Sequence, residues 1–305
     1  MRPIRFGCGG TNTTLLPSCF QNMDTNEFRQ ILKTEHGYQS PDRRLFLAQH
    51  LPGWRIFIYY ARIVMAFLTA GLAGRRGKLN NERWLSASIS CLKAVESAGG
   101  RLNVSGLAGL DEHKGPLVYI ANHMSILETI ILPSFTLGFT DVTFIIKDEL
   151  RRYPIIGWVM QALDFIAVHR KNPREDLKAV LNEGQHRIQR GCSVVVFPQA
   201  TRSTVFDVKN FNTLGVKLAR KAGVPVVPVA LKTDFHGNGR WLRDIGPINP
   251  DLPLYFKFGN PIPVVGNGHV AHQRVVEFIS QNLRSWGAEV KMNAEGGIRN
   301  AESES

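Results

Sequence analysis

An α/β domain, with a central sheet flanked by helices and an apolar helical segment ahead of it that associates with a membrane, is the fold class this sequence predicts. Short apolar runs alternate with helical patterns over the second and third thirds of the chain, as in α/β proteins. A chain of 305 residues at 44% hydrophobic composition can bury one sizeable core with appendages. The stretch from Trp54 to Gly74 is predominantly apolar and carries only two charges, Arg55 and Arg62.

Residues 1–50 are polar and weakly periodic, and are taken as an N-terminal extension without chemistry. Residues 51–100 form the membrane-associating segment. At ~1.5 Å per residue, Trp54 to Gly74 is long enough to cross a ~30 Å hydrocarbon layer. Arginines flank it on both sides (Arg43, Arg44 and Arg55 before, Arg75 and Arg76 after), so charge does not mark one flank as outside. An interfacial helix or re-entrant hairpin on the cytoplasmic leaflet accounts for both flanks; a single span and a buried core helix are the alternatives. Residues 78–98 read as a helix stopped by Gly99-Gly100.

The domain proper runs over 101–288. Its strand candidates are Leu117 to Ala121, Val142 to Lys147, Phe165 to Val168, Cys192 to Phe197, Val224 to Leu231 and Leu254 to Phe258. Asn172-Pro173-Arg174-Glu175 supplies a cap, a first-turn proline and a first-turn acid, and Gly191 ends the helix they open. A last helix covers about Val270 to Trp286, and the Glu-, Ser- and Asn-rich tail at 289–305 is expected to be disordered.

The charge of +12, with a pI near 9.8, calls for an anionic partner: nucleic acid, an acidic membrane surface or a phosphorylated substrate. The basic residues come in scattered pairs without zinc-finger or aromatic RNA-binding patterns, which disfavours nucleic acid. Cys8, Cys19, Cys91 and Cys192 form no Cys-x-x-Cys pair, which fits ordinary thiols in a reducing compartment. Arg2 and Arg5 are followed by no apolar run or small-residue cleavage site, so a signal peptide is not indicated.

Chemistry is concentrated where the first strand of the domain ends, in Asn122-His123-Met124-Ser125-Ile126-Leu127-Glu128. A histidine can take a proton from an attacking hydroxyl near neutral pH, and a carboxylate on its far ring nitrogen fixes the tautomer. Positions five apart in a regular helix lie about 140° around the axis, so His123 and Glu128 meet only if His123 sits in the turn before the helix. Ser125-x-x-Glu128 fits a plain capping box equally well. No serine or cysteine nucleophile is evident, so the attacking hydroxyl would belong to a substrate and the chain would be a group transferase.

Further along, Arg170 and Arg202 each follow a strand candidate, which could bring two planar donor forks to the edge that holds His123 and suit them to a phosphate. Thr201, Ser203 and the loop amides after Phe197 could add hydrogen bonds to the same anion. Taken singly, such arginines are more often solvated strand ends or salt-bridge partners.

Together with these residues, the ordered blocks Asn122-His123-x4-Glu128; Lys147, Glu149, Leu150, Pro154, Gly157 and Arg170; Phe197-Pro198-Gln199-Ala200-Thr201-Arg202-Ser203; and Val224 to Val229 resemble the glycerolipid acyltransferases of the lysophosphatidic acid acyltransferase family over about residues 103–265. The resemblance implies a glycerolipid acyltransferase-like sheet flanked by helices, with His123 and Glu128 as the catalytic pair and Arg170, Thr201, Arg202 and Ser203 as substrate-binding residues. It implies a fatty acyl group moved from acyl-CoA or acyl carrier protein to a lysophospholipid hydroxyl, with lysophosphatidic acid first among acceptors. It implies no metal and no bound redox cofactor, and a protein attached to membrane phospholipid on the cytoplasmic face. Another lysolipid or glycerol 3-phosphate as acceptor, a catalytically silent phospholipid-binding protein, and a thioesterase or lipase are the alternatives; the last lacks a Gly-x-Ser-x-Gly elbow.

Two departures from the family's pattern stand out. Glu128 stands where the first block has aspartate, one methylene longer, and Gln199-Ala200 stand where the third has Glu-Gly. The first preserves acid chemistry if backbone or rotamer adjusts. The second removes a charge and restricts the loop, so altered acceptor preference is expected more than lost catalysis.

Overall fold

The computed structural model describes residues 24–41, 52–169, 171–199, 201–239 and 244–292. Among them an eight-stranded sheet runs in the order β1-β2-β9-β8-β3-β6-β4-β5, with strands β1 (Gly37–Gln39), β2 (Leu102–Ser105), β3 (Val118–Ala121), β4 (Val142–Lys147), β5 (Ile166–Val168), β6 (Ser193–Val196), β8 (Val226–Lys232) and β9 (Leu254–Phe258). A separate parallel pair joins β7 (Phe206–Asp207) to β10 (Val290–Lys291).

Strands β8, β3, β6, β4 and β5 are mutually parallel, which puts their C-terminal ends along one edge. Their apolar runs are unbroken because both faces are covered. In β3, Tyr119 and Ala121 join one buried layer while Val118 and Ile120 join the other, the two-residue period of a strand. The first layer is shared with helices α1 (Thr25–Glu35), α2 (Pro52–Arg75), α3 (Asn81–Ser97) and α5 (Leu127–Thr136). The second is shared with α7 (Pro173–Gln189), α8 (Leu214–Ala222) and α9 (His269–Ser285). Two short helices, α4 (Ala108–Glu112) and α6 (Ile156–Ala162), complete the set.

Capping chemistry fixes the helix starts. Asn172 accepts from the amides of Arg174 and Glu175 ahead of α7, with Pro173 at the first helical position, as its sequence requires. Asn80 does the same for Arg83 at the start of α3.

Parts of the chain taken as appendages are core. Within the 1–50 extension, residues 24–41 fold as α1 and β1. Asp24 caps α1 through the amides of Asn26 and Glu27, Phe28 and Leu32 are buried four residues apart on one face, and β1 pairs antiparallel with β2. Strands of three and four residues carry too little periodicity to stand out in sequence, and this edge is held by pairing and by Tyr38 against Phe28 and Phe135. Residues 1–23 and 42–51 lie outside the described residues. Helix α3 packs on α5, burying Trp84, Leu85, Leu92 and Val95, so the membrane-associating segment as bounded above contains a domain helix. At the other end the expected disordered tail contributes Val290 and Lys291 to β10, while 293–305 lie outside the described residues.

Helix α2 is long and apolar enough to cross a membrane, yet only 28% of its apolar window is buried. That excludes a helix enclosed by the core. Tyr59, Ala66, Ala70 and Ala73 face the protein, whereas Trp54, Phe57, Val64, Met65 and Leu72 are exposed. Close approach to α6 needs Gly74, where a Cβ would meet the Trp158 carbonyl oxygen at 2.6 Å.

Gly106, between β2 and α4, adopts φ +84°, and a Cβ there would lie 2.0 Å from the Phe258 carbonyl oxygen. Gly106→Ala combines a left-handed backbone with a clash against main chain, so we expect a loss of about 2–4 kcal/mol in chemical denaturation. An unchanged midpoint would mean that this junction relaxes freely.

Candidate active site

Sequence-adjacent chemistry and sheet topology converge on the C-terminal ends of β3, β6 and β8, the edge where α/β sheets hold ligands. Asn122, the first residue beyond β3, is buried. Its side-chain amide donates to the Leu231 carbonyl (2.7 Å) while its oxygen accepts from the Leu231 amide (2.8 Å), tying the end of β3 to β8. His123 therefore leaves the sheet from a fixed point.

The imidazole of His123 lies on the ring of Phe197, centroids 4.4 Å apart and planes 20° off parallel. Its Nδ1 meets Glu128 Oε2 at 3.1 Å. His123 is in the turn and Glu128 in the first turn of α5, the boundary that a contact across five positions demands. Glu128 is fully buried, and it also performs the capping-box arm: its oxygens accept from the amides of Met124 (2.9 Å) and Ser125 (2.9 Å). One carboxylate thus meets the imidazole and takes the Ser125 amide, the acid's half of a capping box; the helix itself is capped at Ile126, and the Ser125 hydroxyl accepts from the Leu127 amide. With Nδ1 facing the carboxylate, the Nε2 side of the ring is left to act as a base.

Gln199 follows β6 and its side-chain oxygen accepts from the His123 backbone amide at 2.7 Å. That bond requires an acceptor and not a charge, so the amide serves here without loss. Ser203 donates its backbone N–H to the His123 carbonyl (3.0 Å), and its hydroxyl accepts from the Val205 amide (3.1 Å). The loop after β6 is thus bonded to His123 from two positions. Arg202 extends from this loop and pairs with Asp244, Nη1 to Oδ1, at 2.5 Å. Thr201 is exposed. Arg170 and Ala200 lie outside the described residues; β5, parallel to β4, ends at Val168 on the same edge.

Several contributors carried no sequence signal. Thr233, just beyond β8, donates its hydroxyl to Glu128 Oε1 and accepts from Ser125 Oγ (2.9 Å). Asn238 donates to the Met124 carbonyl (3.3 Å). His236 is buried with Nδ1 2.7 Å from the Tyr59 hydroxyl of α2. Burial, reinforced by the Arg202 charge, holds His236 below the ordinary imidazole range, so it is neutral near pH 7. Tyr60 of α2 bonds the Gly246 carbonyl (2.5 Å) and accepts from its amide (2.9 Å). The segment after β8 therefore touches the His–Glu pair at one end and the exposed apolar helix at the other. Each link joins residues far apart in sequence, which is why no motif announced them.

The chain is similar to known acyltransferases. Residues 101–232 match the model of the acyltransferase family. A 1-acyl-sn-glycerol-3-phosphate acyltransferase of Pseudomonas aeruginosa is 29% identical over 208 residues, 68% of this chain and 75% of that protein. The chloroplastic 1-acyl-sn-glycerol-3-phosphate acyltransferase of Arabidopsis thaliana is 34% identical over 131 residues, which covers 43% of this chain and 36% of that protein. A lyso-ornithine lipid O-acyltransferase of P. aeruginosa is 26% identical over 149 residues, 49% and 52% of the respective chains. The fold is shared with the crystal structure of a 1-acyl-sn-glycerophosphate acyltransferase from Thermotoga maritima, at a TM-score of 0.55 and 23% identity over 77% of this chain and 96% of that one. The His123–Glu128 pair and the loop bonded to it fall inside the region that matches the acyltransferase family's model.

Proposed function

We propose that the protein transfers a fatty acyl group from acyl-CoA or acyl carrier protein to the free hydroxyl of lysophosphatidic acid, giving phosphatidic acid. The observation that carries this reading is the contact of His123 Nδ1 with the buried Glu128 at the sheet edge, where the Ser125 hydroxyl is committed to Thr233. His123 Nε2 takes the proton of the acceptor hydroxyl as its oxygen attacks the thioester carbonyl. Collapse of the tetrahedral intermediate forms the ester and expels the thiolate, which takes the proton back from the imidazolium. Glu128 holds the ring and stabilises the transient positive charge. The acyl donor is a substrate, and this scheme draws on no metal or resident cofactor.

Arg202 is assigned to the acceptor phosphate, with Arg170, Thr201 and Ser203 as further donors. The Asp244 carboxylate already seated on the Arg202 guanidinium marks the position of an anion, and a phosphate would take its place. The exposed side of α2, tied to the segment after β8 by Tyr59 and Tyr60, supports attachment to membrane phospholipid, which we assign to the cytoplasmic face. A different lysolipid is the second reading, favoured by the relative that acts on lyso-ornithine lipid and by the Asp244 carboxylate, which would suit an acceptor carrying a cation.

An acceptor panel in detergent micelles, with both donors, tests the assignment. Arg202→Ala is expected to raise the KM for lysophosphatidic acid about 10- to 100-fold, the loss of a charged hydrogen bond, with little change for monoacylglycerol. Equal turnover of both acceptors, with no effect of the substitution, would remove the phosphate assignment and leave acyl transfer standing.

A further inference from the structure

We propose that Thr233 is a positioning residue for acyl transfer: its hydroxyl, oriented by Ser125, holds the longer Glu128 side chain in the one rotamer that meets His123. The proposal rests on the reading of His123 and Glu128 as the reacting pair.

The hydrogen bonds run in one direction. A carboxylate can only accept, so the Thr233 O–H points to Glu128 Oε1. The Thr233 oxygen then takes the O–H of Ser125 (2.9 Å), whose own oxygen takes the Leu127 amide (3.2 Å). Ser125, Glu128 and Thr233 are all buried to within 1% exposure, so water does not compete for these groups. Each hydroxyl has one donor and one acceptor role, and both are filled.

The placement of Thr233 follows from the sheet. β8 lies parallel to β3 with Val229 opposite Ala121, and Asn122 grips both backbone groups of Leu231. Two residues on, Thr233 is delivered beside Met124 and Ser125. A glutamate has one more torsion than an aspartate and must be stopped along it; the backbone amides of Met124 and Ser125 fix the carboxylate from the α5 side, and Thr233 closes the other. Catalytic groups lose efficiency when displaced by about 1 Å, which is the freedom this clamp removes.

Thr233→Val keeps the shape and deletes the donor; Thr233→Ser keeps the donor. Steady-state kinetics with acyl-CoA and lysophosphatidic acid in micelles should show kcat lowered about 10- to 100-fold in T233V, with the acceptor KM unchanged and kcat restored in T233S. In a Glu128→Asp background, where the shorter carboxylate falls away from position 233, T233V should cost no more than about twofold, a non-additivity that a general loss of fold would not produce. The His123 Nδ1–H proton, assigned in 15N-histidine-labelled protein by its absence in His123→Ala, should broaden or move in T233V and persist in T233S. Equal losses in both backgrounds, or an unmoved Nδ1–H signal with wild-type kcat, would overturn the proposal. If wild-type protein transfers no acyl group, the acyl-transfer reading fails, and the Nδ1–H signal still decides whether Thr233 positions the pair.

Discussion

Replacing His123 by alanine should lower kcat about 10²–10⁴-fold while leaving the fold and lipid binding nearly intact. The kinetic loss follows from the reaction: at neutral pH the acceptor hydroxyl holds its proton, and without a base 3 Å away it attacks a thioester slowly. The structural loss is small because nothing else depends on the imidazole. Glu128 retains the amides of Met124 and Ser125 and the Thr233 hydroxyl, so its buried carboxylate is not orphaned. Gln199 and Ser203 bond the His123 backbone and not its ring, so the loop after β6 keeps its anchors. What disappears is the stacking on Phe197 and the Nδ1 bond to Glu128 Oε2, and that oxygen keeps the Ser125 amide. Single-turnover product formation, measured beside vesicle binding and a thermal melt, checks both halves. If the variant turns over at the wild-type rate, another group is the base. If neither protein transfers an acyl group but both bind phospholipid, the silent-binder alternative replaces the enzyme.

How far the sequence reached depended on how local each feature was. The strands of the parallel core could be recognised because burial on both faces makes them uninterrupted apolar runs, and α7 because Asn172, Pro173 and Gly191 punctuate it within one stretch. β1 and β2 were invisible: Gly-Tyr-Gln and Leu-Asn-Val-Ser become strands only because they pair with each other and with β9. The same division holds at the site. His123 and Glu128 belong to one heptapeptide, and geometry alone dictates that the turn before α5 must bring them together. Gln199 was marked as a departure that loses a charge; the structure shows an acceptor's task at the His123 amide, which an amide oxygen performs as well as a carboxylate. Thr233 lies just past a strand more than a hundred residues later. Its hydroxyl is one among many in the sequence until the register of β8 on β3 places it.

Glu128→Gln should be the most informative single-atom change, lowering kcat about 10³–10⁴-fold and costing about 1–3 kcal/mol of stability. Both carboxylate oxygens are surrounded by donors: Oε1 by the Met124 and Ser125 amides and the Thr233 hydroxyl, Oε2 by the Ser125 amide and His123 Nδ1. An amide must put its NH2 at one of the two. At the Oε1 position it opposes two backbone N–H groups that have no freedom to turn away. At the Oε2 position it opposes the Ser125 amide and can satisfy His123 only by donating to Nδ1. That selects the tautomer with its proton on Nε2, the nitrogen meant to accept the proton of the acceptor hydroxyl. Either way the variant trades a matched site for a frustrated one, and the more favourable arrangement for folding is the worse one for catalysis. Glu128→Asp provides the contrast: it still only accepts, so it should keep the correct tautomer and lose activity through reach alone, by about 10-fold. Thermal melts and kcat for the two variants, measured together, separate hydrogen-bond polarity from distance; a glutamine variant as active as the aspartate one would mean that the carboxylate's charge and acceptor character do not govern the imidazole.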